Sequence, residues 1–290
     1  MFGMPPTAAA PSRRWTTRLV RIGLLVYLGV CLLVGWNQRV LIFHPEQVPT
    51  AALQRMATDR GFLPWTNVAG LRIGWRRAAP SNAGAVRPGV VLITHGNAGS
   101  AVGREYLTDP LQQALPVPVY VLEYPGYGDR PGTPSQTAFL SAADEAFNSL
   151  PAQVPVYLVS ESLGTGPVAW LAGRHAERVQ GICCLVPYDR LVRVARHQMP
   201  WLPVELLLLD RFPAEEWLRD FHGPVAFCVA GADQVIPPER GIRFHDTYAG
   251  PKRLWVLPGM DHNGALARPV DWWREVIALW ASSPIPARAL

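Results

Sequence analysis

The hydrophobic pattern changes character along the chain. Near the start, Ile22 to Trp36 reads IGLLVYLGVCLLVGW without a break, and counting back to Leu19 gives eighteen residues in which only Arg21 is charged. That is just under the roughly 20 residues a bilayer span needs, a deficit the Arg18 and Arg21 stems can cover by snorkelling. From residue 71 the pattern becomes short β-branched runs separated by helical spacing. Leu71 to Ala78, Val90 to Thr94, Val117 to Glu123, Val154 to Ser160, Val179 to Val186, Val225 to Ala230 and Arg253 to Leu257 predict strands. Between them, Ser135 to Leu150, Leu163 to Arg174, Pro238 to Tyr248 and Val270 to Ala281 predict helices. Such alternation predicts an α/β fold, a mostly parallel central sheet with helices on both faces. Pro80 to Pro88 has no periodicity and reads as a hairpin or loop.

Composition sharpens this division. Hydrophobic residues make up 49% of the 290 and charged residues 17%, which excludes a disordered chain. The net charge of +5 arises at one end: Arg13, Arg14, Arg18, Arg21 and Arg39 precede the first acid, Glu46, leaving 22 basic against 22 acidic side chains beyond. A neutral body offers no basic face for nucleic acid, so no nucleic-acid partner is expected. Four arginines before the apolar run and one closely after it place the N-terminus in the cytoplasm by the positive-inside bias. A cleaved signal peptide would need small residues where the run ends Val34-Gly35-Trp36, and Leu28-Gly29-Val30-Cys31 is a poor lipobox. A buried soluble helix is the remaining alternative, disfavoured by the arginine asymmetry. Four cysteines without a CxxC pair, and histidines without HExxH spacing, predict neither a disulfide scaffold nor a metal site. Cys183, Cys184 and Cys228 read as small buried residues.

The candidate chemistry starts at Ser160-Glu161-Ser162-Leu163-Gly164-Thr165-Gly166, between a predicted strand and a predicted helix. In a nucleophile elbow a strained turn lifts a serine above the sheet, and the residues two before and two after it must be small. Gly164 meets this demand and Ser160 nearly so, whereas taking Ser160 as the nucleophile would put Leu158 at a flanking position. Asp233 in GADQVIP and His262 in GMDHN follow, each just after a predicted strand, in the chain order of α/β hydrolases. Ser162 is a poor nucleophile until His262 removes its proton, and Asp233 would fix the tautomer and stabilise the imidazolium. Asp261 is a rival carboxylate whose adjacency to His262 makes it a poor orienter. Thr94-His95-Gly96-Asn97-Ala98-Gly99 reads as an oxyanion loop, with the backbone N–H groups of Leu163 and Asn97 as donors. A phosphate loop cannot be built around Lys252, and Gly126-Tyr127-Gly128 lacks the third glycine of a dinucleotide fingerprint.

Together HGNAG, EYPGYG with Gly132-Thr133-Pro134-Ser135, SESLGTGP, GADQVIP and GMDHN resemble the membrane-anchored α/β-hydrolase family of abhydrolase-domain, Bem-type proteins and their bacterial relatives. The resemblance covers about residues 38 to 281, and Asn37 to Pro45 is similar to that family's opening. It departs at Ser160 for glycine and at Glu123 where aspartate is common. What it implies is an α/β-hydrolase fold with a small cap, serine-dependent hydrolysis of acyl esters or thioesters, often on lipids or lipidated proteins, and no cofactor. The expected organisation is a cytoplasmic tail at 1–18, a transmembrane signal anchor at 19–36, and a hydrolase domain at 37–290 with a cap at about 187–223. The body is expected outside the inner membrane, and removal of residues before Val40 to leave a soluble, active body. Other readings are a peptidase or haloperoxidase-like enzyme, or a non-catalytic binding protein, on the same fold. Within the cap, Trp201, Leu202 and part of the leucine run 206–209 are candidates to wall an acyl groove, against the alternative that they only pack on the body.

Overall fold

The computed structural model describes residues 13–80 and 89–282; beyond Pro80 the expected 80–88 loop lies outside them, as do the first twelve residues of the expected tail. The apolar run forms α1 (Arg13–Ile42), which continues without a break past Trp36. Then come α2 (Thr50–Asp59), β1 (Leu63–Thr66), β2 (Arg72–Arg77), β3 (Val90–Thr94), α3 (Glu105–Ala114), β4 (Val119–Leu122) and α4 (Gln136–Asn148). The rest runs β5 (Val156–Glu161), α5 (Thr165–Arg174), β6 (Val179–Leu185), α6 (Leu191–Gln198), α7 (Val204–Leu207), α8 (Ala214–Trp217), β7 (Val225–Ala230), α9 (Pro238–Thr247), β8 (Lys252–Leu257) and α10 (Val270–Ser282).

The eight described strands form one sheet in the order β1-β2-β4-β3-β5-β6-β7-β8, antiparallel at β1/β2 and β2/β4 and parallel elsewhere. All seven strands expected from the sequence are present. Leu63–Thr66 went unforeseen because it is a short edge strand with Pro64 in it and only Trp65 buried. The central strands β3, β4, β5 and β7 are buried at every position because both faces are covered. On β3, Val90 and Leu92 join the core under α4, α5 and α9, while Val91 and Ile93 face α2, α3 and α10 on the opposite side.

Chain order along the sheet reverses at β3, which has β4 on one side and β5 on the other. In open α/β sheets, the crevice beyond the carboxyl ends of strands at such a switch point is where ligands bind. The loops after β3, β5, β7 and β8 converge there. Of the expected cap, the segment from Phe212 to Phe221 belongs to the main core, packing α8 against α5; the cap proper is α6, α7 and the stretch to Leu209.

Candidate active site

Between the end of β5 at Glu161 and the start of α5 at Thr165, the chain must reverse within one turn, Ser162–Gly164. Ser162 absorbs the strain: its φ of +51° lies in the left-handed region, which costs a non-glycine residue about 1–2 kcal/mol. The turn sits so close to β3 that a Cβ at Gly164 would overlap the Thr94 carbonyl oxygen, so only glycine fits. Ser160 is fully buried in register with Cys184 of β6, a place inside the sheet where a hydroxymethyl group is small enough. The two serines thus have different surroundings. Ser162 Oγ lies 3.0 Å from His262 Nε2, and Ser160 is walled in by its neighbouring strands.

His262 in turn holds Asp233, with Nδ1 2.7 Å from Oδ2. The other carboxylate oxygen of Asp233 accepts the N–H groups of Val235 at 2.8 Å and Ile236 at 2.9 Å, so the turn after β7 locks the carboxylate in place. With Asp233 accepting, Nδ1 is the protonated nitrogen and the Nε2 lone pair faces the serine hydroxyl. Asp261 is engaged elsewhere: its Oδ1 accepts the Gly264 N–H at 2.7 Å, and the side chain is exposed.

The loop after β3 carries Asn97, whose side chain bonds through both of its polar atoms. Its Oδ1 accepts the Tyr127 hydroxyl at 2.9 Å and the His44 N–H at 3.1 Å, and its Nδ2 donates to the Ile42 carbonyl at 2.5 Å. These bonds fix the Asn97 side chain and tie this loop to the end of α1. Leu163 directly follows the elbow serine, is buried, and has its carbonyl fixed by the Tyr188 hydroxyl at 3.2 Å.

Beneath the same loop is a buried polar cluster that the sequence reading did not find. Arg104 pairs with Glu161 at 3.1 Å and donates to the Ala98 carbonyl. Tyr106 donates to Glu161 at 2.7 Å, and Glu123 accepts the Ala101 N–H at 3.1 Å beside His95. Burial alone would lower the Arg104 pKa, but Glu161 and its neighbours hold it above the ordinary arginine value, and burial raises Tyr106. Arg104 and Glu161 are 57 residues apart in the chain, so no spacing signal could have joined them. Among the described residues, no cluster of three or more His, Cys, Asp or Glu side chains is arranged to hold a metal.

An apolar cavity of about 300 Å³ lies between α1 and the cap. Val34, Gly35, Gln38 and Leu41 form one side, Leu202, Val204 and Leu207 the other, and the cavity reaches Asn97 and Val235 beside the candidate catalytic groups. Ser162 is buried and does not itself line it. Leu202 is thus in the cavity wall, but Trp201 is 56% exposed and off it, contributing its carbonyl to the Tyr27 hydroxyl at 2.8 Å. A second, more open depression of about 410 Å³ is bordered by Ala98, Tyr106, Glu161 and Asn263.

Comparison with known proteins agrees with this layout. Residues 89–216 match the family described as the α/β hydrolase fold. The uncharacterised protein Rv2307c of Mycobacterium tuberculosis is 31% identical over 84% of this chain and 87% of its own. The lysophosphatidylserine lipase ABHD12 of Macaca fascicularis is 34% identical over 65% of this chain, which spans about half (51%) of that relative. Among solved structures, Est1E from Butyrivibrio proteoclasticus superposes with a TM-score of 0.58 at 16% identity, covering 77% of this chain and all of that one. A monoacylglycerol lipase from Paleococcus ferrophilus gives 0.53 at 19% identity over 72% and 98% of the two chains.

Proposed function

Because the chain belongs to the abhydrolase family of α/β hydrolases, we propose that it is a membrane-anchored serine hydrolase that cleaves acyl esters or thioesters through an acyl-enzyme at Ser162. The observation that carries this reading is the continuous hydrogen-bonded path from Ser162 through His262 to Asp233, at 3.0 and 2.7 Å, on a strained elbow. As Ser162 Oγ attacks the substrate carbonyl carbon, its proton passes to His262 Nε2, and the resulting imidazolium is stabilised by Asp233. Backbone N–H groups of Leu163 and Asn97 receive the oxyanion. The intermediate collapses as His262 returns the proton to the leaving oxygen or sulfur, leaving an acyl ester on Ser162. Water then gives a proton to His262 and attacks that ester, and collapse releases the acid and restores the serine.

The apolar cavity supports an acyl chain as the substrate's larger part, and the more open depression bordered by Glu161 and Asn263 leaves room for the leaving group. The lipase names of a relative and a structural neighbour support the same substrate class. As for the anchor, α1 is long and apolar enough to cross a membrane, and most of its apolar side chains are exposed, unlike a soluble core helix. The arginine bias orients the catalytic body away from the cytoplasm, in the periplasm or beyond. Hydrolysis of p-nitrophenyl octanoate by the full chain in detergent tests the chemistry. Ser162→Ala should abolish it and Ser160→Ala should retain it; the reverse pattern would move the nucleophile. A periplasm-specific reporter fused after Leu290 should be active, and activity of a cytoplasm-specific reporter instead would invert the orientation.

A further inference from the structure

The cap follows α1 turn by turn. Tyr27 donates to the Trp201 carbonyl, Cys31 packs with Leu202 and Val204, and a Cβ placed on Gly35 would lie 3.5 Å from the Leu207 side chain. Further along, Gln38 donates to the Leu207 carbonyl at 3.0 Å and accepts the Leu209 N–H at 2.7 Å, and Arg39 pairs with Asp210 at 2.9 Å. These positions recur every three or four residues, so one stripe of the helix is occupied from Tyr27 to its end.

These contacts begin at Tyr27. Ahead of it, the apolar run from Leu19 to Val26 measures about 12 Å at ~1.5 Å per residue. The hydrocarbon core is about 30 Å thick. A spanning α1 is therefore too short unless the cap enters the bilayer by roughly 18 Å, the length of helix from Tyr27 to Gln38. The cap's outer surface fits that environment: Leu206 is 84% exposed, Leu209 67% and Trp201 56%, and the nearby charges Arg196 and Glu205 are paired at 3.1 Å. Both walls of the 300 Å³ cavity, Val34 and Gly35 on α1 and Leu202 and Leu207 on the cap, lie within this stretch.

We propose that the cap is seated in the leaflet on the catalytic side, and that the cavity between it and α1 is a lateral port through which the acyl chain of a bilayer-resident ester reaches the active site. The helix is then a wall of the substrate groove as well as a tether. A hydrocarbon chain entering this way never crosses water, and a volume at the low end for ligand sites suits one chain. This inference rests on the anchored-hydrolase reading, and its test separates the two.

Leu206→Cys and, as a reference, Val68→Cys on a fully exposed body loop are labelled with a fluorophore in phosphatidylcholine–phosphatidylglycerol nanodiscs. All four native cysteines are buried, and burial pushes the Cys184 and Cys228 thiols up to about 12, so the new thiol takes the label. Phospholipid carrying an acyl-chain nitroxide should quench the Leu206 label severalfold more than the Val68 label; equal quenching would overturn the immersion of the cap. On the same discs, Gly35→Phe, which fills the groove from the helix side, should lower the ratio of kcat/KM for palmitoyl over acetyl esters about tenfold. Leu207→Ala, which widens the groove at the same point, should shift preference toward longer chains. An unchanged ratio in both variants would overturn the port. Serine-probe labelling of the unmodified protein reports separately: its failure removes the hydrolase reading while the quenching result stands.

Discussion

Gly164 and Ser162 share the demands of one turn, glycine providing the close approach to Thr94 and serine bearing the left-handed backbone. Gly164→Ala should therefore destabilise the protein by about 3 kcal/mol, since the obstacle is a backbone carbonyl that cannot move aside, and lower Tm by roughly 6 to 10 °C. A thermal melt unchanged from wild type would mean the turn is looser than this packing. The triad residues act as a unit, so Ser162→Ala and His262→Ala should each lower kcat by about four orders of magnitude or more. Asp233→Asn keeps the shape but favours the wrong imidazole tautomer, and should cost about as much or somewhat less. These residues were legible in the sequence because each lies directly after a strand, where the fold allows few positions. The roles of Arg104, Glu161 and the Asn97 side chain were not, since they depend on contacts between distant loops. Trp201 shows the opposite failure: an apolar neighbourhood indicated the cap, but the direction of one side chain is set by how α7 docks on α1.

The elements with strong periodicity, strands β2 to β8 and helices α4, α5, α9 and α10, were legible to within a few residues. α2 and α3 were not foreseen; α3 contains Pro110, a residue that ordinarily marks a helix boundary. The greatest change concerns α1. From its composition it was expected to end as a span at Trp36 and to be dispensable beyond anchoring. In the structure its last turns hold the cap through Gln38 and Arg39, and its end is strapped to the loop after β3 through Asn97. Removing residues before Val40 should leave the two main cores folded, because neither draws on them. The truncated body should nonetheless lose turnover of long-chain esters more than of acetate, by tenfold or so. Equal kcat/KM values for full-length and truncated protein across chain lengths would return α1 to the status of a tether.

For the molecule as a whole, the two hydrophobic regimes seen in the sequence meet at the active site instead of forming separate parts. The sheet's switch point gathers the loops bearing Ser162, Asp233, His262 and Asn97 on one edge, and the cavity that reaches Asn97 is walled by α1 on one side and the cap on the other. Sequence patterning captured the layers, since strands alternating with helices imply a sheet covered on two faces. It could not supply the docking of α1 on the cap, because an all-round apolar helix looks the same whether or not one stripe is occupied. At the centre of the account is the claim that Ser162 is the activated nucleophile, and the most direct measurement is mass-spectrometric mapping of a fluorophosphonate adduct on the full-length protein. The account predicts a single adduct on the peptide containing Ser162, absent in Ser162→Ala and strongly reduced in His262→Ala. An adduct on another residue, or full labelling of Ser162→Ala, would contradict it.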